Sequence, residues 1–283
     1  MRLHCGRHRI DLGRPVVMGV LNVTPDSFSD GGRHAALPSA LAHGRRLAEE
    51  GAAIVDVGGE STRPGAAPVD EDEELRRVIP VIEGLAAALA VPVSVDTRKP
   101  GVMRRALAAG ASMVNDVAAL GAPGAIEAVA AGDAAACLMH MQGEPRTMQA
   151  DPRYADVVGE VRGFLRARVA ACEAAGIPRE RLVVDPGFGF GKALEHNLAL
   201  LAALPEIAAD GVPVLAGLSR KRMIGALTGR AEGDRLGGSV AAAVLAALRG
   251  ARIIRAHDVR ATVDALAVVA ASGALRDNPG RDS

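Results

Sequence analysis

Eight short runs of β-branched and small apolar residues recur along the chain, each followed by a longer segment of helical period. The runs are VVMGVLNV (16–23), AIVDVGG (53–59), VPVSVDT (91–97), SMVNDV (112–117), AACLMHM (135–141), LVVDPG (182–187), PVLAGLS (213–219) and IIRAHD (253–258). Apolar runs separated by helices are the pattern of parallel strands covered on both faces. The clearest helical segments are 71–90, 154–176, 238–249 and 259–272. Eight strand–helix units in a chain of 283 residues predict a closed (β/α)8 TIM barrel. An open doubly wound sheet is the competing arrangement, and no G-x-G-x-x-G follows the first run to favour it. Residues 1–14 read as a hairpin or cap, and 273–283 as a fraying tail. No shift of composition divides the chain, so 1–283 reads as one domain.

Charge excludes several classes of partner. Lys+Arg and Asp+Glu both number 33, so no net field favours nucleic acid or a membrane surface. Aromatic residues are 2%, too few for a base-stacking face. The cysteines, Cys5, Cys137 and Cys172, form neither a C-x-x-C pair nor a metal-type spacing with histidine, which suits a reducing compartment. The first residues, MRLHCGRHRIDLG, carry no apolar segment of the signal-peptide kind. SVAAAVLAALRG is too short to span a bilayer. These features predict a soluble, cytoplasmic protein.

In a barrel of this kind the active site lies at the carboxyl ends of the strands. Those ends read Asn22, Asp56, Asp96, Asn115 with Asp116, His140, Asp185, Ser219 with Lys221, and Arg255 with His257. A lone Asp after a strand commonly caps a helix, which suits Asp116 and Asp258. His140 alone could be a satisfied core histidine. A polar residue at every strand end is harder to explain by capping. Three loops have matching character: NVTPDSFSDGG (22–32), GGESTRPGA (58–66) and DPGFGFGK (185–192). Phe28, Phe188 and Phe190 are three of the four phenylalanines in the chain, and the loops read as mobile segments exposing them to flat substrates. Deep carboxylates with cations near the rim describe a seat for a flat, donor-rich heterocycle carrying an anionic tail.

These residues are recognisable. MGVLNVTPDSFSDGG and VDVGGESTRPGA resemble the two pterin-binding signatures of the dihydropteroate synthase family of bacterial folate biosynthesis. SVDTRK, NDV, LMHMQGEPRTMQ, VDPGFGFGK, GLSRKRMIG and IIRAHDV resemble its later motifs, in order, so the likeness runs over 12–272. A pterin-binding methyltransferase barrel is a related alternative, but the chain has no D-x-H-x-x-G cobalamin motif. A non-catalytic pterin-binding paralogue is the other.

The resemblance implies a transferase that joins 6-hydroxymethyl-7,8-dihydropterin pyrophosphate to 4-aminobenzoate, with Mg²⁺. It implies that Asp96, Asn115, Asp185 and Lys221 hold the pterin, in a slot formed by Met139, Gly217 and Phe190. Asn22 would reach Mg²⁺ and, with Arg63, Arg255 and His257, the pyrophosphate. Phe28, Thr62, Arg63, Pro64, Phe190, Lys221 and Arg222 would form the aminobenzoate and sulfonamide pocket. Asp30, Arg63 and Lys221 would be catalytic, with Asp30 near a cation formed on an SN1-like path. The first loop would close over bound pyrophosphate. A homodimer built through the later helices is implied as well, and the nearly all-round apolar helix 238–249 fits such burial.

Overall fold

The computed structural model describes residues 1–23, 32–61 and 68–275. A two-stranded antiparallel hairpin, β1 (Arg2–Cys5) and β2 (His8–Asp11), comes first. Eight parallel strands follow: β3 (Val16–Asn22), β4 (Ile54–Gly58), β5 (Val93–Asp96), β6 (Met113–Asp116), β7 (Ala135–Met139), β8 (Leu182–Asp185), β9 (Val214–Ala216) and β10 (Ala251–Ala256). They pair in sequence order, and β10 closes onto β3, so the sheet is a closed barrel rather than an open one. Every expected strand is present; seven are trimmed by one or more residues at their ends, and the last starts two residues earlier and ends two residues sooner than expected.

Helices cover the outside. α1 (Gly32–Glu49), α2 (Glu71–Ala88), α3 (Pro100–Ala108), α4 (Ala125–Ala130) and α5 (Val157–Ala174) each connect consecutive strands. α6 (Leu194–Ala202) and α7 (Leu204–Ala208) precede β9, α8 (Arg222–Thr228) and α9 (Leu236–Leu248) precede β10, and α10 (Val259–Ala271) follows it. Local chemistry sets several starts: Asp70 accepts the Glu73 amide at the head of α2, and Asp156 accepts those of Val158 and Gly159 at the head of α5. Among the described residues no helix is long and apolar enough to cross a membrane.

Strand residues alternate between the helices and the lumen. The outward set is aliphatic: Val17, Leu21, Val55, Val57, Val93, Val95, Leu138 and Val184 all join the large core beneath the helices. The inward set changes along each strand. At the amino ends it is apolar, with Met18, Ile54, Met113, Val183, Leu215 and Ile253 packed against Leu3, Cys5, Ile10 and Leu12 of the hairpin and its exit. The hairpin is therefore a plug for the barrel floor. Two residues further along four of the strands the inward position turns polar: Asp56, Asn115, Asp185 and Arg255 follow Ile54, Met113, Val183 and Ile253. The same alternation that seals one end of the lumen builds a polar chamber at the other.

Leu3 is fully buried in this plug. Leu3→Ala should lower the unfolding free energy by about 2–5 kcal/mol, read as a lower denaturant midpoint with an unchanged slope. Turnover of the folded fraction should be retained, since the chamber lies at the opposite end.

Candidate active site

Arg255 stands at the centre of the chamber. Its Nε donates to Asp56 Oδ2 at 2.7 Å and its Nη2 to Asp96 Oδ2 at 2.8 Å. Asp56 Oδ2 also accepts Asn115 Nδ2 at 3.0 Å, while its buried Oδ1 has no protein partner. A carboxylate only accepts, so it forces the Asn115 amide nitrogen toward itself and turns the Asn115 oxygen away. Burial pushes the Asp96 carboxyl up to about 7; the Arg255 guanidinium opposes this and the Asp56 charge adds to it. Asp56 and Asp96 together hold Arg255 more firmly protonated than usual, against the cost of its burial.

Asp185 lies across the lumen. Its Oδ1 accepts the Gly187 amide at 2.7 Å. Burial raises its pKa, opposed by Lys221, that amide, and Lys192. Lys221 is pushed down to about 8 by burial, with Asp185 pulling the other way. Its Nζ donates to the Phe188 carbonyl and sits 4.4 Å from the centre of the Phe190 ring. Gly217 faces the same space: a Cβ there would lie 3.9 Å from Arg255 Cβ and 4.0 Å from Asp185 Oδ2. The glycine leaves the gap between carboxylate and guanidinium free. Met139 pairs in register with Asp185 and is buried.

At the rim, a Cβ on Gly58 would lie 3.9 Å from Asn22 Oδ1 and 3.5 Å from Asp96 Cβ, which places Asn22 beside the deeper carboxylate. The His257 ring nitrogen Nδ1 lies 3.0 Å from Ser219 Oγ. Asn22 and His257 open onto a cleft of about 650 Å³ that continues past Arg220 and Asp258 between α1 and α10. Arg222 is exposed at the start of α8. Asn22, Asp96, Asn115, Met139, Asp185, Phe190, Gly217, Lys221, Arg255 and His257 thus share one end of the barrel. Phe28, Asp30, Thr62, Arg63 and Pro64 lie outside the described residues.

The loop after β8 corrects one expectation. Phe188 is not exposed but fully buried, one of the largest side chains in the core. Nor is the loop loosely held. Its carbonyls are taken in turn: Phe188 by Lys221, Gly189 by Gln149, Phe190 by Lys192 at 3.0 Å and Gly191 by Tyr154 at 2.9 Å. The Gly189 amide donates to Asn197 Oδ1 at 2.6 Å. Gly187 and Gly191 have φ of +71° and +61°, and a Cβ on either would collide with the carbonyl of His140 or Gln142. These glycines serve close packing of two backbones. Only Phe190 turns its ring toward the chamber side, under Lys221.

Two supposed caps also do other work. Asp116 accepts the amides of Ala118 and Leu120 in a tight turn. Asp258 makes no side-chain cap bond to α10; it forms a two-point ion pair with Arg220, whose backbone is left-handed at φ +58°. Arg220 is further held by Ser239 Oγ on its amide and by Arg235 on its carbonyl. That fixes the turn carrying Lys221.

Sequence reasoning passed over three groups. Asp56 was one strand end among many, although a carboxylate inside an apolar run is itself a signal of a polar partner. Lys192 closes the glycine-rich motif without an obvious role. Lys99 bridges Glu60 and the fully buried Glu74, both at 2.5 Å, while Glu60 Oε1 accepts the Val69 amide; this joins the two stems of the loop after β4 to α2 and α3. Lys99 sits in SVDTRK, where only the Asp drew notice.

The chain matches the family model described as pterin binding enzyme over residues 18–257. It is 52% identical over 278 residues to the dihydropteroate synthase of Escherichia coli K12, covering 98% of this chain and 99% of that one. Among solved structures it is similar to the Xanthomonas albilineans dihydropteroate synthase with 4-aminobenzoic acid, at TM-score 0.92 and 59% identity over 97% of this chain and 99% of that one. The same enzyme in complex with 7,8-dihydropteroate matches at TM-score 0.89 and 56% identity over 98% of this chain and 100% of that one.

The raised carboxyls have a consequence for stability. A carboxyl whose folded pKa exceeds its unfolded value loses stability as pH rises between the two. Asp96, raised from 3.8 to about 7, therefore makes unfolding easier across that interval. Asp116, raised to about 6, adds to the fall. Asp96→Asn should make the decline in unfolding free energy between pH 4 and pH 7 visibly shallower, measured by urea titration at each pH.

Proposed function

The chain belongs to the pterin binding enzyme family as a dihydropteroate synthase, and from that premise we propose which of its own residues carry the reaction. The reaction joins 6-hydroxymethyl-7,8-dihydropterin pyrophosphate to 4-aminobenzoate and gives 7,8-dihydropteroate and pyrophosphate. The observation that carries the assignment is the chamber's pattern of hydrogen-bonding atoms. Asp185 Oδ2, the second oxygen of Asp96 and the Asn115 amide oxygen are left as acceptors around a gap that Gly217 keeps open. A pterin edge is flat and rich in N–H donors, so it satisfies all three. Met139, the Arg255 side chain and Phe190 supply walls for a flat ring, and Lys221 offers a donor to a ring acceptor.

The leaving group departs toward the rim. The bond between the exocyclic methylene carbon and the pyrophosphate oxygen breaks, and its electron pair leaves with pyrophosphate. His257 and the Nη1 edge of Arg255, for which the described residues supply no acceptor, are the described donors for that charge. Arg63 joins them in this reading. The electron-rich dihydropterin stabilises the methylene cation, and Asp30 is the carboxylate assigned beside it. The aniline nitrogen then forms the new C–N bond and its surplus proton passes to solvent. An SN1-like order of this kind needs no strong base at the attack step.

Phe190, Lys221, Arg222, Thr62, Arg63, Pro64 and Phe28 make up the aminobenzoate pocket in this reading. Among the described residues no cluster of three or more His, Cys, Asp and Glu could hold a metal ion. The Asn22 amide oxygen is nevertheless a hard oxygen donor at the rim, which fits Mg²⁺ carried mainly by phosphate oxygens and water. When bound there, Mg²⁺ would add charge stabilisation of the leaving pyrophosphate. A homodimer is part of the proposal, supported by Leu236, Leu245 and Leu248 exposed on and beside the apolar face of α9. A cytoplasmic setting accords with three free, buried cysteines.

Pyrophosphate release tests the assignment. The native chain should release pyrophosphate from the dihydropterin substrate rapidly when 4-aminobenzoate is added. Asp185→Asn preserves shape but turns a donor toward pterin donors. Losing a charge-assisted hydrogen bond of about 1.5–3 kcal/mol should weaken pterin binding by roughly 10- to 150-fold with the fold intact. Unchanged pterin affinity by calorimetry would remove Asp185 from the site.

A further inference from the structure

Lys192 is almost completely buried, yet its ammonium meets no carboxylate among the described residues within hydrogen-bond reach. Its Nζ lies 2.9 Å from His140 Nδ1, 3.3 Å from the His140 carbonyl and 3.0 Å from the Phe190 carbonyl. Three acceptors match the three N–H groups of an ammonium. Burial pushes Lys192 down to about 7, with Asp185 opposing, and burial together with Lys192 pushes His140 down to about 3. His140 therefore stays a neutral acceptor, packed edge-on against Phe164 with ring centres 5.0 Å apart.

A buried cation without a paired anion is a poor choice for stability; an apolar side chain of similar length would avoid the desolvation penalty. What the cation does is local. It ties the Phe190 carbonyl to the end of β7. Gln149 and Tyr154 hold the carbonyls of the flanking glycines, Gly189 and Gly191, but Lys192 alone holds that of Phe190. Phe190 in turn lies under the Lys221 ammonium, and Phe188 in the same loop accepts a Lys221 hydrogen. A shift of the Phe190 backbone therefore displaces both the ring and the lysine that rests on it.

We propose that Lys192 is a positioning residue for the second substrate: by tying the Phe190 carbonyl to His140, it fixes the Phe190 ring and the Lys221 ammonium at the boundary between the pterin seat and the aminobenzoate pocket. This rests on the site reading above. It places the role of Lys192 in the geometry of that boundary, and leaves the deep acceptors Asp96, Asn115 and Asp185 independent of it.

Lys192→Met, which keeps the stem and removes the cation, separates this from a role in stability. The KM for 4-aminobenzoate should rise at least tenfold, while the dissociation constant for a pterin ligand, which keeps the deep acceptors and loses only the placement of the Phe190 wall and the Lys221 donor, rises by a clearly smaller factor. The thermal midpoint should hold or rise. A merely structural lysine would instead give a lower midpoint, or an unfolded chain, with both substrates affected alike; that outcome overturns the proposal, as does an unchanged aminobenzoate KM. The native chain measured alongside keeps the two claims apart. If it bound no pterin at all, the site reading itself would fall, whereas a native chain that turns over beside an unaltered variant counts against Lys192 alone.

Discussion

Arg255 between Asp56 and Asp96 is the interaction on which the upper half of this barrel depends. Two carboxylates inside a protein lumen repel each other and lose their hydration, which is costly without a partnering cation. One guanidinium spans both, using Nε for the first and Nη2 for the second. The planar fork of Arg makes this possible where the point charge of Lys would not. The cluster has a direction as well as a charge. Asp56 draws the Asn115 amide nitrogen inward, so the oxygen faces the chamber. The acceptors left over form the pattern on which the proposed pterin seat rests, and that pattern follows from bonds made beneath it.

The chamber exists because the strands change chemistry along one face only. Outward positions are mostly aliphatic, since helices cover them. Inward positions begin apolar against the hairpin plug, and in four strands they become polar or ionisable two residues later. A barrel interior is ordinarily filled by side chains. Here Gly58 and Gly217 supply none at the chamber level, which leaves space between the surrounding side chains. Asp185 and Lys221 complete the wall, each moving the other toward its charged form against burial.

Much of this could be read in the amino-acid sequence because its causes are local or periodic. Strand runs stand out through β-branching, and their polar ends follow from the position of a barrel site. The inward alternation of Ile253, Arg255 and His257 is visible in IIRAHD once a strand is assumed. Other features were hidden because they depend on pairing across the fold. Nothing in DPGFGFGK distinguishes Phe188, which enters the core, from Phe190, which does not; the difference is set by how the glycines pack on the carbonyls of His140 and Gln142. Asp258 has the sequence position of a helix cap, but its carboxylate pairs with Arg220 and makes no side-chain bond to the helix amides. Lys192 carries no distinguishing mark in DPGFGFGK, and only the fold reveals that its three partners come from two different strand ends.

Arg255→Met tests the central claim most directly, through stability as a function of pH. If the guanidinium is what permits two carboxylates in the lumen, its removal leaves them uncompensated. The variant should lose about 3–5 kcal/mol of unfolding free energy near neutral pH, the usual effect of breaking a buried pair. Its Asp96 carboxyl, already raised with Arg255 present, should rise further, so the deficit should shrink as pH falls toward 4 and Asp96 takes up its proton. A variant as stable as the native chain at neutral pH, with the same dependence on pH, would contradict the account and show that the buried carboxylates are supported by something other than Arg255.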